Sequence, residues 1–193
     1  MNLKEKLSPY NIILASGSPR RKQLLTDLGL DFKVCSTDID ETFPAHLKGK
    51  EIALYLAERK ADASNPLTKN DLIITCDTIV WLDNVALEKP ASKTEAQTML
   101  KKLSGNIHQV ISAVCIKTLK DKKLFYDSTE VTFGALTDDE IDYYIDHYKP
   151  FDKAGAYGIQ EWIGLIGIEK INGSYTNVVG MPMEKLYKNL MQL

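Results

Sequence analysis

Two serines and two arginines cluster where a strand gives way to a helix. The apolar run at residues 12–14 predicts a buried strand, and an amphipathic segment follows it closely. Free backbone N–H groups at such a helix start, together with the hydroxyls of Ser16 and Ser18, suit an anion. Arg20 and Arg21 add two guanidinium groups in the first turn, where the helix dipole disfavours cations. The pattern indicates either a phosphate-binding site or a capped surface helix with solvated arginines.

The ends of this helix are marked in the sequence. Ser18 is the expected N-cap, and Pro19 suits the first helical position because its missing N–H is not needed there. Gly29 is typical of the residue just past a helix C-terminus. Leucines spaced three and four apart give the segment one apolar face, so it is expected to pack on a sheet.

Asp77 is the strongest candidate for a catalytic base or a metal ligand. It follows a mostly apolar run at residues 71–76, which predicts a buried strand with Asp77 and Thr78 at its carboxyl end. In open α/β sheets, ligands collect outside the carboxyl ends of the strands. The local pattern equally allows Asp77 to cap the turn that follows.

Further charged residues fall in predicted loops and near helix ends. An enzyme acting on a nucleoside triphosphate would need cations for phosphate oxygens, carboxylates for a divalent ion and a base for water. Most surface lysines and acids are simply solvated, so each residue alone is weak evidence. Lys153 stands out because small residues follow it. The candidates are Lys60, Lys89 and Lys153 among the cations, and Asp40, Glu41 and Asp152 among the acids.

Composition excludes several classes of function. The 193 residues include 26% charged and 44% hydrophobic ones, as in ordinary globular proteins. A net charge of −2 argues against a nucleic-acid or membrane-surface partner, and no run is long enough to span a bilayer. The first ten residues lack the apolar core of a signal peptide, so a cytoplasmic location is expected. Nothing in the pattern forbids a homodimer.

The cysteines fit the same location. Cys35, Cys76 and Cys115 each lie in an apolar, strand-like run and show no CxxC spacing. They are therefore expected to be buried thiols in a reducing compartment, and neither a disulfide framework nor a zinc site.

Strands that alternate with helices predict one α/β domain over residues 1–193 with a mixed sheet. Residues 110–119 and 124–136 predict a long hairpin, and Asp83-Asn84 a tight two-residue turn. Residues 1–10 are expected to be a loose lead-in, and 165–171 a strand. Helices are expected at 49–64, 92–103, 138–147 and 183–191, and a short strand at 31–36.

Six motifs, in order, resemble those of the Maf family, also called septum formation inhibitor proteins. The resemblance runs from about Ile12 to Leu190. The motifs are LASGSPRR at 14–21, CDTIV at 76–80, EKP at 88–90, LSG at 103–105, DKAGAYGIQ at 152–160 and INGSYTNVVGMP at 171–182.

This resemblance implies a cytoplasmic nucleoside triphosphate pyrophosphatase that uses a divalent cation, Mg²⁺ or Mn²⁺, and cleaves between the α- and β-phosphates. It implies a two-lobed α/β fold with a long curved mixed sheet flanked by helices, similar to the inosine triphosphate pyrophosphatases. The nucleotide would lie in the cleft between the lobes. The alternative is a nucleotide-binding regulator of septum formation without significant turnover.

By motif, the resemblance makes Asp77 the proton acceptor that activates water, and Glu41 and Asp77 the metal ligands. Asp40 is the alternative to Glu41. The substrate-binding residues would be Ser16, Arg20, Arg21, Lys60, Lys89 and Lys153.

Three positions, Arg20, Thr78 and Gln160, resemble the family subgroup that prefers dTTP and UTP. A glutamine amide offers both a donor and an acceptor, which suits the O4/N3 edge of thymine or uracil. Family members usually continue this motif with a glycine-rich stretch. This chain instead has Glu161 and Trp162, which place a carboxylate and an indole beside the expected base pocket.

Overall fold

The computed structural model describes residues 2–36, 39–64 and 68–193. The strands within these residues are β1 (Asn11–Ala15), β2 (Lys33–Cys35), β3 (Asp71–Leu82), β4 (Val85–Leu87), β5 (Ile107–Lys117), β6 (Lys122–Phe133) and β7 (Ile168–Asn172). The α-helices are α1 (Leu3–Leu7), α2 (Pro19–Asp27), α3 (Lys50–Ala63), α4 (Lys93–Leu103), α5 (Asp138–Tyr148), α6 (Trp162–Gly167), α7 (Tyr175–Val179) and α8 (Met183–Leu190).

The strands form one seven-stranded mixed sheet in the order β2-β1-β3-β5-β6-β7, with β4 beside part of β3. The three strands β2, β1 and β3 are parallel, and the remaining pairs are antiparallel. The expected mixed α/β class is therefore confirmed. The long hairpin is confirmed as β5–β6. The tight turn is also confirmed, because Asp83 and Asn84 join β3 to β4 with φ values of 50° and 62°, as a two-residue hairpin turn requires.

The central strand β3 changes partner halfway along one edge. Its first residues pair with β1 up to Ile74, and its last three pair with β4 from Val80 onwards. Within the part of the chain described, residues 75–79 have no strand beside them on that edge. The opposite edge pairs continuously with β5. The interruption leaves an opening in the sheet at Asp77.

The predicted end of this strand at Cys76 is wrong, because β3 continues to Leu82. Asp77 and Thr78 were expected to end the strand, as polar residues following an apolar run. They are accommodated inside it because both side chains have polar partners, Lys60 for Asp77 and Ser112 for Thr78.

Successive side chains of β3 point to opposite faces of the sheet. Thr75 and Asp77 face α3, where Thr75 donates to the carbonyl of Ala57. Thr78 faces the other side, towards the carbonyl of Gly180. Asp77 and Thr78, which are neighbours in sequence, therefore lie on opposite faces of the sheet.

Separate hydrophobic clusters pack around the two halves of β3. Leu72 and Ile74 pack with residues of α1, α2 and α8, whereas Val80 and Leu82 pack with residues of α4 and α5. A third cluster lies between α3 and the strands β3 and β5. The cleft described below lies around the point at which the two halves meet.

Two local predictions are wrong. The segment at 165–171 was expected to be a strand, but it begins as α6 and becomes β7 only at Ile168. Leu165 is 81% exposed, so its apolar character does not reflect burial. The lead-in at 1–10 contains helix α1, whose N-cap Asn2 forms a reciprocal capping box with Glu5 and which buries Leu3.

Candidate active site

One cleft of ≈ 750 Å³ contains every residue that the sequence analysis placed in the site. Its walls come from the β1–α2 turn, helix α3, the middle of β3 and the segment around residues 152–160. The predicted residues that line it are Ser16, Arg20, Arg21, Glu41, Lys60, Asp77, Thr78, Lys89, Lys153 and Gln160.

A lysine on α3 joins two carboxylates at the opening in the sheet. Lys60 Nζ lies 2.6 Å from Asp77 Oδ1 and 2.8 Å from Glu41 Oε1. Helix α3 places Lys60 there because Leu56, one turn earlier on the same face, is buried against the sheet. Lys89 approaches Glu41 from the other side, with its Nζ 2.7 Å from Oε2. Four residues far apart in sequence thus form one chain of ion pairs.

The protonation states follow from these contacts. Burial acts to lower the pKa of Lys60, but the charge of Asp77 and the hydrogen bonds to Asp77 and Glu41 outweigh it, so the pKa is raised. Burial acts to raise the pKa of Glu41, but its bonds to Lys60 and Lys89 lower it to about 2. At neutral pH, therefore, Lys60 is an ammonium and Glu41 a carboxylate.

Asp77 has one oxygen in use and one available. Its Oδ1 accepts from Lys60, and among the residues described in the structure no donor reaches Oδ2. The side chain is only 10% exposed and borders the cleft. An oriented carboxylate with a spare oxygen in a half-closed cleft can accept a proton from water or bind a cation.

The β1–α2 turn forms the cap that the sequence predicted. Ser18 is the N-cap and accepts from the Arg21 N–H at 3.5 Å, and Pro19 begins the helix. The hydroxyl of Ser16 accepts from the N–H of Ser18 at 3.2 Å, which leaves its own proton free to donate. The turn therefore lines the cleft with a hydroxyl donor and the start of a helix.

Arg21 is committed mainly to the protein itself. Its Nε donates to the carbonyl of Gly180 at 2.9 Å, and its Nη1 to the carbonyl of Cys76 at 2.6 Å and to Ser16 at 3.4 Å. Its Nη2 donates to Thr78 at 3.0 Å. A guanidinium has five N–H groups, so these four contacts leave one for a ligand. Arg21 fastens the β1–α2 turn to β3.

Arg20 points away from this anchor to an acidic residue that the sequence analysis placed beside Lys153. Its Nη1 lies 3.0 Å from Asp152 Oδ2, and Lys153 Nζ lies 2.7 Å from Asp152 Oδ1. Lys153 also lies 3.2 Å from Glu161 Oε1. Burial acts to raise the pKa of Asp152, but the bonds to Lys153 and Arg20 lower it. Asp152 thus holds two of the predicted phosphate-binding cations together.

Gly155 brings this segment against the sheet. Its φ of +67° is one that side chains other than glycine rarely adopt, and a Cβ there would lie 2.9 Å from Val80. Its N–H donates to the carbonyl of Glu88 at 3.2 Å. The glycine therefore allows the close approach that places Lys153 and Gln160 at the cleft.

Two of the predicted specificity residues differ in accessibility. The hydroxyl of Thr78 lies 2.8 Å from Ser112 and 3.0 Å from Arg21 Nη2, so its contacts lie within the protein. Gln160 lies at the cleft and is exposed. Ser112 was missed by the sequence analysis, because a serine within an apolar strand gives no sign of its partner.

The carboxylates in the cleft are compatible with a divalent cation bound together with substrate. Among residues 2–36, 39–64 and 68–193, no group of three or more His, Cys, Asp or Glu side chains is arranged to hold a metal ion. Mg²⁺ commonly uses one or two carboxylates and takes its remaining ligands from phosphates and water. Glu41 and Asp77 supply two carboxylates bridged by one ammonium, whereas Asp40 turns back to Thr42, which it accepts from at 2.9 Å.

The mixed α/β fold gives the class of the protein, and a solved structure shares that fold. The structure resembles that of a HAM1 protein from Coxiella burnetii with a TM-score of 0.50 and 18% identity, over 95% of this chain and 100% of the other. At that identity the likeness concerns the fold, and it agrees with the fold expected from the sequence.

The sequence then gives the family: residues 11–193 match the family described as Maf-like protein, and the chain belongs to this family. A protein from Flavobacterium psychrophilum is 54% identical over 98% of this chain and 97% of its own length. One from Phocaeicola vulgatus is 54% identical over 98% and 99%. Both relatives are named dTTP/UTP pyrophosphatase.

Proposed function

We propose that this protein hydrolyses dTTP and UTP to the nucleoside monophosphate and pyrophosphate. The observation that carries the proposal is the Asp77–Lys60–Glu41 arrangement in a cleft that also holds Arg20, Lys89 and the other predicted cations. The names of relatives that are about half identical over nearly the whole chain support the same reaction. A binding protein without turnover has no need of a carboxylate with an unused oxygen in the cleft.

In the proposed reaction, Asp77 Oδ2 accepts a proton from a water molecule while the oxygen of that water bonds to the α-phosphorus. The bond between that phosphorus and the oxygen bridging to the β-phosphate breaks, and pyrophosphate leaves with the electron pair. Lys60 fixes Asp77 through Oδ1, so Oδ2 is presented without rotation. Orientation of this kind lowers the barrier because the entropy of alignment is lost before the reaction.

The proposed substrate-binding residues come from several elements that line the cleft. Ser16 and Arg20 would bind phosphate oxygens from the start of α2, with Arg21 contributing its one remaining N–H. Lys153, which shares Asp152 with Arg20, and Lys89 would bind further phosphate oxygens. Lys89 and Arg20 are paired to carboxylates in partly exposed positions, where exchanging one anion for another costs little.

We propose Glu41 and Asp77 as the residues that hold the divalent cation, Mg²⁺ or Mn²⁺. When bound, such an ion supplies charge stabilisation for the phosphate oxygens. Both Glu41 oxygens accept from lysines, so a cation would take the place of Lys60 or Lys89 at one of them.

We also propose a cytoplasmic location and no nucleic-acid or membrane partner. The three cysteines are free thiols, which suits a reducing, cytoplasmic location. The net charge of −2 speaks against nucleic acid or anionic membrane as a partner. Among the described residues, no helix combines the length and apolar character needed to cross a bilayer. The proposed protein is a single domain with two lobes, and nothing in its sequence pattern forbids a homodimer.

The deciding experiment is a panel of normal and modified triphosphates scored for pyrophosphate, with Asp77→Asn as the matched variant. The wild type is expected to release pyrophosphate from dTTP and UTP with added Mg²⁺ or Mn²⁺. The variant is expected to lose turnover by roughly 10²- to 10⁴-fold, the usual contribution of general base catalysis, while still binding nucleotide. Tight binding without pyrophosphate from the wild type would favour the regulator instead.

A further inference from the structure

We propose that Tyr144 and Glu161 act together as positioning residues that fix Lys153 and the turn carrying Gln160, and thereby contribute to the choice of nucleobase. The inference rests on the proposed function, because it concerns how the same cleft selects its substrate. Neither residue was among the predicted site residues. Glu161 was visible in the sequence only as a departure from the family pattern, and Tyr144 gave no signal at all.

Tyr144 connects helix α5 to the cleft wall through one hydroxyl. The side chain is fully buried, and its hydroxyl donates to Glu161 Oε2 while it accepts from the N–H of Gly158 at 3.0 Å. Burial raises the pKa of Tyr144, and the hydrogen bond and charge of Glu161 raise it further, so the hydroxyl keeps its proton. The phenol therefore remains a donor to Glu161.

Glu161 passes this restraint on to a predicted substrate-binding cation. Its other oxygen, Oε1, lies 3.2 Å from Lys153 Nζ, whose side chain is only 8% exposed. Asp152 Oδ1 takes a second position around the same ammonium at 2.7 Å. A lysine ammonium has three N–H groups, so two are directed by carboxylates and the third is left for a ligand in the cleft.

The same pair shapes the turn that presents Gln160. The N–H of Glu161 donates to the carbonyl of Gly158 at 3.0 Å and so closes a turn around Gln160. The Gln160 side chain lies across Gly158, because a Cβ added at Gly158 would be 2.9 Å from Gln160 Nε2. The Tyr144 hydroxyl bonds to both ends of this turn, to Gly158 at its start and to Glu161 at its end. Tyr144 and Glu161 therefore restrict the direction of the Gln160 amide.

A purely structural role would not require this chemistry. A buried hydroxyl and a mostly buried carboxylate lose hydration on folding, so an apolar contact of the same size would stabilise the segment at lower cost. What the polar arrangement adds is direction, because it fixes one ammonium and one turn relative to each other. A glycine after Gln160 would leave Lys153 without this partner.

The test compares Tyr144→Phe, Glu161→Gln and Glu161→Ala with Asp127→Asn as the control. Asp127 also pairs with a lysine, Lys185 at 2.8 Å, and its side chain is 22% exposed against 19% for Glu161, but it lies outside the cleft. The readout is the ratio of kcat/KM for dTTP to that for dCTP, which differ at the edge that Gln160 would bind. A ratio does not depend on how much of each preparation is folded.

We expect Glu161→Ala to lower this ratio by about tenfold, as loss of a hydrogen bond to a charged group implies, mainly through a higher KM for dTTP. Glu161→Gln keeps one acceptor and is expected to recover part of the lost ratio. The ratio for Tyr144→Phe is expected to lie between those of the two Glu161 variants. Asp127→Asn should keep the wild-type ratio. Equal losses for both nucleotides in the Glu161 variants, with the ratio unchanged, would overturn the inference.

A second measurement separates this inference from the proposed function. Dissociation constants for the non-hydrolysable α,β-imido analogues of dTTP and dCTP report selectivity without turnover. If the wild type releases no pyrophosphate, the proposed hydrolysis fails, and the ratio of these constants still tests Tyr144 and Glu161. A ratio unchanged by Glu161→Ala would then reject the positioning role by itself.

Discussion

Lys60 Nζ lies 2.6 Å from Asp77 Oδ1, across the point at which β3 exchanges β1 for β4 as its neighbour. The side chains are 11% and 10% exposed, so two opposite charges are held together with little water. Burying such a pair is costly unless its geometry is good and other bonds complete it. Glu41 completes it from the cleft side. The Lys60–Asp77 ion pair is therefore expected to contribute both to the stability of this region and to the proposed catalysis.

Replacing Lys60 by methionine is expected to damage stability and activity together. The change leaves Asp77 as a buried carboxylate without its counterion, which costs about 3 kcal/mol in the free energy of unfolding. Pyrophosphate release should fall by at least about 100-fold, since Asp77 is no longer oriented. Urea denaturation and a pyrophosphate assay measure the two effects.

The double variant Lys60→Met/Asp77→Leu provides the control. Removing both charges is expected to return most of the lost stability, because no unpaired charge remains, while activity stays absent. A double variant no more stable than Lys60→Met would show that the ion pair is not the cause of the loss.

The sequence predicted candidate residues that line one cleft, but it did not predict their partners. The apolar run before Asp77 pointed to that residue, and Lys60 and Glu41 were candidates mainly through the family resemblance. That one ammonium bridges the two acids depends on α3 packing across β3, a contact between distant segments that no local pattern specifies. Arg21 was likewise expected to bind phosphate, but most of its N–H groups donate to β3 and Gly180, which are distant from it in sequence.

The two adjacent arginines are expected to differ in what they contribute to stability. Arg21→Lys removes a planar fork that makes four hydrogen bonds within the protein, and a lysine cannot reproduce it. The loss should be roughly 2–4 kcal/mol at about 1 kcal/mol per bond. Arg20→Lys breaks only a partly exposed pair with Asp152 and should cost below about 1 kcal/mol. Thermal and urea denaturation of the two variants would show equal losses if this distinction is incorrect.

Glu41 is expected to make the protein sensitive to acid. Its pKa is about 2 in the folded protein, below its ordinary value of 4.5. The stabilisation is therefore complete above about pH 4.5 and declines as the pH falls towards 2. Glu41→Gln should be less stable than the wild type at pH 7, and the difference should shrink between pH 5 and pH 3. Unfolding midpoints in urea measure it.

The exposed Glu169, on β7 and away from the cleft, supplies the comparison for this experiment. Glu169→Gln should follow the wild type at each pH. A gap between wild type and Glu41→Gln that stays constant down to pH 3 would contradict the role given to the contacts with Lys60 and Lys89.

The fold was predictable wherever local signals agreed with burial. Ser18 and Pro19 mark a real helix start, and the Asp83-Asn84 turn joins β3 to β4. The prediction failed at 165–171, where an apolar run includes the exposed residues Leu165 and Ile166 and begins as a helix. Apolar character predicts structure only through burial, and burial there depends on what the rest of the chain covers.

His108 is expected to give the protein a second, separate dependence on pH. It is 2% exposed, shares a hydrogen bond of 2.8 Å with Tyr157, and packs against the ring of Phe133 at 5.5 Å. Among the described residues its Nδ1 has no partner. Burial lowers the pKa of His108 from 6.5 to about 4. The folded protein therefore keeps His108 neutral at a pH where the unfolded chain already binds a proton.

It follows that the free energy of unfolding should fall as the pH is lowered from about 6.5 to 4, by up to roughly 3 kcal/mol from this residue. His108→Gln should show a flatter pH profile over that window whatever its stability at pH 7, because glutamine does not titrate. His46→Gln, at an exposed turn, should retain the wild-type profile. Urea denaturation at half-unit steps from pH 7 to 4 measures all three proteins. A His108→Gln profile as steep as that of the wild type would assign the acid sensitivity in this window to other groups.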